Sequence, residues 1–165
     1  MRILLSPQTL PGSAEVSMTQ TATDPFDLQR FVDAQAPVYA RVLGELRAGR
    51  KQSHWIWYIF PQVRGLGRSA TAIRYSIGSR DEAAAYIAHT LLGQRLRECT
   101  ALLLAVEGHA LAAIMPFPDD RKLVSSMTLF AEVAPDPAPF AAALEKYNCG
   151  ARDEATLDIL RALPA

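Results

Sequence analysis

The sequence has little cysteine: its 165 residues hold two, Cys99 and Cys149, far apart and outside any Cys-x-x-Cys pair. That argues against a disulfide scaffold and against a thiolate metal site, and both cysteines are expected to be reduced and structural. Histidine is equally scarce. His54, His89 and His109 stand apart and form no His-Glu-x-x-His motif, so no metal is expected, and no cofactor. An excess of charge is missing too, with 17 basic and 17 acidic residues giving a formal net charge of zero. Bulk nucleic-acid binding, which draws on surplus positive charge, is therefore not expected. No run reaches the ~18 apolar residues of a membrane span, and Ile3-Leu4-Leu5 is too short for a secretory core. No membrane association is expected, and the location read from these absences is cytoplasmic. Gly65-Leu66-Gly67 lacks the third glycine and the Lys-Ser ending of a phosphate loop, and no Gly-x-Ser-x-Gly nucleophile elbow occurs.

What remains has globular composition: half of the residues are hydrophobic and 21% are charged. A chain of this length fits one domain and buries roughly two thirds of its unfolded surface without a staple. Residues 1–23 carry no apolar periodicity and are rich in Ser, Thr, Pro and Gly, which predicts a disordered tail with Met18 as an alternative start. Residues 24–165 are expected to form a single helical domain.

Helix signals begin at Asp24-Pro25, an N-cap followed by proline at the first helical position. Pro37 opens a second helix that Gly49 stops. Ser53 is expected to cap a third, short helix through the aromatic run His54–Phe60, ended by Pro61. Pro61–Gly67 reads as a loop and Ser69–Ile77 as a short helix. Ser79 and Glu82 form a capping box for a helix to about His89. Leu91–Val106 is the longest apolar helix, with Leu92, Leu96, Leu103 and Val106 at helical spacing. Asp119 or Asp120 starts a helix through Phe130, and Pro139–Tyr147 and Asp153–Leu163 complete the chain. The expected class is all-α, a compact multihelical orthogonal array of about eight or nine short helices, too uneven for an up-down bundle.

Two clusters carry residue types suited to chemistry. The first is Lys51, Ser53, His54, Trp55, Trp57 and Gln62, in which both tryptophans neighbour a histidine and a lysine. Aromatic walls with a few orienting polar groups suit a ligand pocket; the plainer alternative makes Trp55 and Trp57 core anchors and His54 a helix cap. The second is Asp119, Arg121, Lys122, Ser125 and Ser126, at a helix start whose free N–H groups and partial positive charge favour an anion. The alternative makes Asp119 an N-cap, with Ser125, Ser126 and Thr128 bonding back to helix carbonyls.

Several segments together resemble the uncharacterised bacterial family called domain of unknown function 1810. They are LQRFVDAQ (Leu28–Gln35), SHWIWYIFPQ (Ser53–Gln62), GLGRS (Gly65–Ser69), EAAAYIAH (Glu82–His89), LGQRL (Leu92–Leu96), DRKLVSSMTLF (Asp120–Phe130) and GARDEATLDIL (Gly150–Leu160). The resemblance covers Asp24 to Leu160 and implies a compact, multihelical fold. The chain departs from the family pattern at Met115-Pro116, where Phe-Gly is usual, and at Thr90, where proline is usual. Members often carry the label calpastatin; such inhibitors are disordered and polar, unlike a half-hydrophobic chain patterned to bury a core.

The order of the aromatic-Gln segment, the LGQRL helix and the SSMTLF helix is also similar, more distantly, to the NADAR family of N-glycosidases acting on ADP-ribose-linked substrates. Those enzymes use a carboxylate in the early aromatic motif, where this chain has His54 or Trp55. This second resemblance implies an ADP-ribose-like ligand and an N-glycoside hydrolysis. Residue chemistry independently suggests a pocket for a small anionic or nucleotide-like ligand, in which His54 and Asp119 are expected to share acid–base work, Lys51, Gln62, Lys122, Ser125 and Ser126 to bind, and Trp55 or Trp57 to supply a flat wall. The alternative function is a non-enzymatic structural or protein-interaction module.

Overall fold

The computed structural model describes residues 23–164, so the tail expected at residues 1–23 lies, but for Thr23, outside the described residues. Among the described residues ten helices follow one another: α1 (Gln29–Gln35), α2 (Tyr39–Arg47), α3 (Ile56–Ile59), α4 (Ala70–Arg74) and α5 (Arg80–Ala88), then α6 (Thr90–Ala105), α7 (Leu111–Ile114), α8 (Asp119–Val133), α9 (Ala138–Asn148) and α10 (Glu154–Ala162). The fold is all-α, and among the described residues the only extended pairing is a parallel bridge between Val63 and Ile77. One more helix forms than the upper expected count, because Leu111–Ile114 makes a single turn that no capping or periodic signal announced.

Several boundaries differ from the sequence reading for identifiable reasons. Asp24 does act as a cap, but its carboxylate accepts from the amides of Leu28 and Gln29 at 2.8 and 2.9 Å. Asp27 sits at φ 50°, so the chain turns before α1 instead of running on from Pro25. Ser53 does not cap α3; its hydroxyl is drawn 2.6 Å to Glu45. The capping box at α5 closes on one side: Ser79 Oγ accepts the Glu82 amide at 3.0 Å, while Glu82 takes the amide of Gly78, not of Ser79. The second Glu82 oxygen is claimed by Arg30 at 2.6 Å, which swings the carboxylate away from a local closure.

The core forms around α6, whose Leu92, Leu96, Cys99, Thr100 and Leu103 are buried against α2, α5 and α9. An aromatic relay crosses it, Phe31 to Tyr86 to Phe130 to Phe140, with ring centroids 5.0, 5.5 and 5.8 Å apart. Such tilted pairs each add about 0.5–1.5 kcal/mol beyond their area. Gly93 permits the α5–α6 corner, since a Cβ there would meet the Ile87 carbonyl at 2.1 Å. The α6 N-terminus is capped by His89, whose Nδ1 accepts from the amides of Leu91 and Leu92, both at 3.2 Å.

The helix α8 packs on α5, α9 and α10. Its hydroxyl-rich centre, unfavourable for an isolated helix, is held by the turn before α10. Ser125 donates 3.1 Å to Asp153 Oδ2, and Thr128 Oγ1 accepts the Asp153 amide at 2.9 Å. Both hydroxyls also bond back to the helix, to the carbonyls of Arg121 and Val124. Tied in this way, α8 aims its first turn at the loop after α2, where Lys51 N donates 2.7 Å to the Ile114 carbonyl.

Candidate functional site

The loop between α2 and α3 is built around one carboxylate. Glu45 takes an inward position on α2 beside the apolar Val42 and Leu46. Its Oε2 accepts from the Trp55 indole at 2.6 Å, the Gln52 amide at 3.0 Å and the Ser53 amide at 3.2 Å, and its Oε1 accepts from the Ser53 hydroxyl at 2.6 Å. Burial opposes the charge, but the Ser53, Gln52 and Trp55 donors outweigh it and hold the Glu45 carboxyl below the usual carboxylate range.

So pinned, the loop delivers Lys51 to the start of α8. Lys51 Nζ lies 2.6 Å from Asp119 Oδ2 and donates 2.5 Å to the Ser53 carbonyl, over the face of Trp55 at 4.9 Å. Its side chain is 5% exposed. Asp119 also faces Lys122 Nζ at 3.7 Å, and Lys122 in turn stands over the Trp57 ring at 4.9 Å. Two lysines therefore share one carboxylate, and the cluster keeps one positive charge at the α8 N-terminus. Beside it a cleft of about 240 Å³ is lined by Lys51, Ser53, His54, Phe117 and Asp119. His54 is exposed, and Phe117 stands 77% exposed at the rim.

Four of the sequence-selected residues, Lys51, Ser53, His54 and Asp119, thus line one cleft, although they come from two separate segments. Lys122 adjoins it through Asp119, and Trp57 lies half-buried beneath Lys122. The others go elsewhere. Trp55 is a core side chain, 1% exposed, with its indole N–H committed to Glu45. Gln62 does not line the cleft; its carbonyl accepts the Ile77 amide at 2.8 Å in the bridge. Ser125 turns to Asp153, and Ser126 is fully buried. Among the described residues, Trp57 Nε1 and Ser126 Oγ are buried polar atoms without a partner.

Sequence reasoning passed over Glu45, although a charge at an inward position of an amphipathic helix is a readable signal. It also passed over Phe117, for which no pattern existed. Chemically, the cleft offers an exposed imidazole, a carboxylate within a lysine pair and an apolar rim. Among the described residues, no three His, Cys, Asp or Glu side chains gather as a metal would require. Nor is any helix there long and apolar enough to cross a membrane.

No curated protein matches the chain. The chain is similar to a crystal structure of the conserved hypothetical protein Rv1873 from Mycobacterium tuberculosis. The two are 55% identical, with a TM-score of 0.83, over 84% of this chain and 99% of that one. The family model for proteins of unknown function DUF1810 matches residues 25–160, the stretch that carries every motif of the cleft. The chain belongs to the DUF1810 family of proteins of unknown function.

Proposed function

We propose that this protein binds a small anionic, nucleotide-like ligand in the cleft between residues 51–54 and 116–119. The observation that carries the reading is the pair of lysines on one carboxylate, Lys51 and Lys122 on Asp119, at a helix N-terminus. The residual positive charge of the two lysines suits a phosphate, and the Phe117 ring at the rim suits an apolar ring. A cleft of about 240 Å³ is below the ~300–1,000 Å³ of pockets that enclose a drug-sized ligand. It therefore takes a phosphate and part of a sugar, with the rest of the molecule lying over the rim. ADP-ribose-like molecules meet these requirements. With His54 and Asp119 beside the sugar, the site has the two titratable groups that an N-glycoside hydrolysis divides between acid and base. A thermal-shift screen of the purified protein against nucleotides, NAD, ADP-ribose and sugar phosphates tests this. A ligand at about a hundred times its Kd raises stability by about 2.7 kcal/mol. A screen without a single shift defeats the proposal.

One observation favours a second reading, a non-enzymatic structural or interaction module. Lys51 is buried and committed to Asp119 and the Ser53 carbonyl, as a strut would be, while Phe117 stands out from the surface as an anchor for a partner would. Lys122→Ala and His54→Ala separate the two. In the ligand reading they cut the thermal shift to about half or less and leave the fold intact.

A further inference from the structure

A larger cavity, apart from the residues that line the cleft, is lined by arginine. It holds about 440 Å³ between the turn before α1 and the segments flanking α4, and Phe26, Arg30, Arg64, Arg74 and Glu82 are among its walls. The sequence prepares this bias: residues 46–80 contain seven lysines and arginines and no aspartate or glutamate.

The three guanidinium groups differ in availability. Arg30 is spent on the fold, donating to the carbonyls of Arg74, Phe26, Asp27 and Ser76 and to Glu82 Oε1. Glu82 is equally committed, to Arg30 and to the Gly78 amide, both at 2.6 Å. It therefore does not neutralise the other two arginines. Arg64 uses only its Nε, which donates 3.2 Å to Ser76 Oγ. Its terminal nitrogens lie against Gly78, where a Cβ would meet Nη1 at 2.9 Å, so glycine is what lets the guanidinium lie there. Arg74 leans over the Tyr75 ring at 5.5 Å. Neither Arg64 nor Arg74 has an ion-pair partner among the described residues. The remaining lining acid, Asp27, is exposed.

We infer that this cavity is a phosphate-binding site, in which Arg64 and Arg74 present their forks to one phosphate group. Two guanidinium groups with free terminal nitrogens match the geometry of a tetrahedral oxyanion, and bidentate contacts of this kind are the strong charge-assisted bonds. Asp27 in the same wall offsets part of this charge. The half-buried Phe26 ring lies in the same wall, as a phosphate ester with an apolar end would use. The inference is independent of the reading of the Lys51–Asp119 cleft.

The test is titration of the full chain, isotopically labelled, with inorganic phosphate and with AMP at constant ionic strength, followed by amide NMR. Saturable shifts around Phe26, Arg64, Tyr75 and Gly78 are expected with phosphate, with AMP or with both. Tighter binding of AMP identifies an ester ligand, and equal binding identifies free phosphate. Arg64→Gln and Arg74→Gln each weaken the response about tenfold, the loss of one charge-assisted contact. Gly78→Ala weakens it by displacing Arg64, while Lys122→Ala leaves it unchanged. Linear, unsaturated shifts with both probes overturn the inference. So does saturation of these same amides that survives both arginine variants, or that sodium chloride reproduces.

Discussion

Lys51 Nζ and Asp119 Oδ2 lie 2.6 Å apart and join two segments separated by most of the helical core. The lysine is the more deeply buried partner, 5% exposed against 19%. Removing one partner therefore has unequal consequences. Asp119→Asn strands a buried ammonium and is expected to cost about 3 kcal/mol, the scale of a broken buried pair. Lys51→Met costs less, because Asp119 keeps Lys122 and reaches water. Urea unfolding of both variants checks the order, and equal losses would place the pair in solvent.

The carboxylate of Glu45 carries the loop that presents Lys51. Glu45→Gln turns an acceptor oxygen into a donor facing donors and is expected to cost about 1–3 kcal/mol. Its pH dependence has a definite sign. Because the folded pKa lies below the ordinary value of 4.5, the stabilisation is complete above that value and is lost as pH falls through the lower folded one. The stability gap between wild type and Glu45→Gln is thus constant from neutrality down to mild acid and narrows below it. A gap that widened on acidification would assign the wrong state to Glu45.

The two cysteines differ in chemistry. Burial pushes the Cys99 thiol up to about 12, whereas Cys149 is exposed at the left-handed C-cap of α9, φ 53°. A disulfide reagent at neutral pH is expected to titrate one thiol in the native protein and the second only after denaturation. Two rapid equivalents would mean that α6 is open to solvent.

Core packing sets the size of another effect. Leu103 is fully buried in α6, and Leu103→Ala is expected to lower stability by roughly 2–5 kcal/mol. A loss below about half a kcal/mol in the same unfolding measurement would show that this face of α6 is not core.

The longer helices were legible because their signals are local. Ser79 caps α5 as its position promises, accepting the amide of Glu82. The apolar spacing of α6 likewise corresponds to its buried face. The short α7 and the delayed start of α1 were not legible, since one rests on a single turn and the other on a left-handed Asp27. For the candidate site, residue type selected Lys51, His54 and Asp119, but the contact between their segments depends on the Glu45 hub and the α8–α10 tie. The tie joins residues 25 and 28 positions apart, which no short window of sequence contains, whereas the Glu45 bonds span 7 to 10 positions and lay within reach. Trp55 shows the reverse: its composition reads as a ligand wall, yet the core claims its ring and Glu45 claims its nitrogen.

Calorimetric titration of the full chain with ADP-ribose decides whether the Lys51–Asp119–Lys122 cleft is a ligand site. Saturable one-to-one binding is expected in the wild type and in Arg64→Gln. A loss of about tenfold or more, the scale of one charge-assisted contact, is expected in folded Lys122→Ala and His54→Ala. Absence of binding to the wild type, or undiminished binding to both cleft variants, would contradict the ligand reading and leave the cleft as a structural joint.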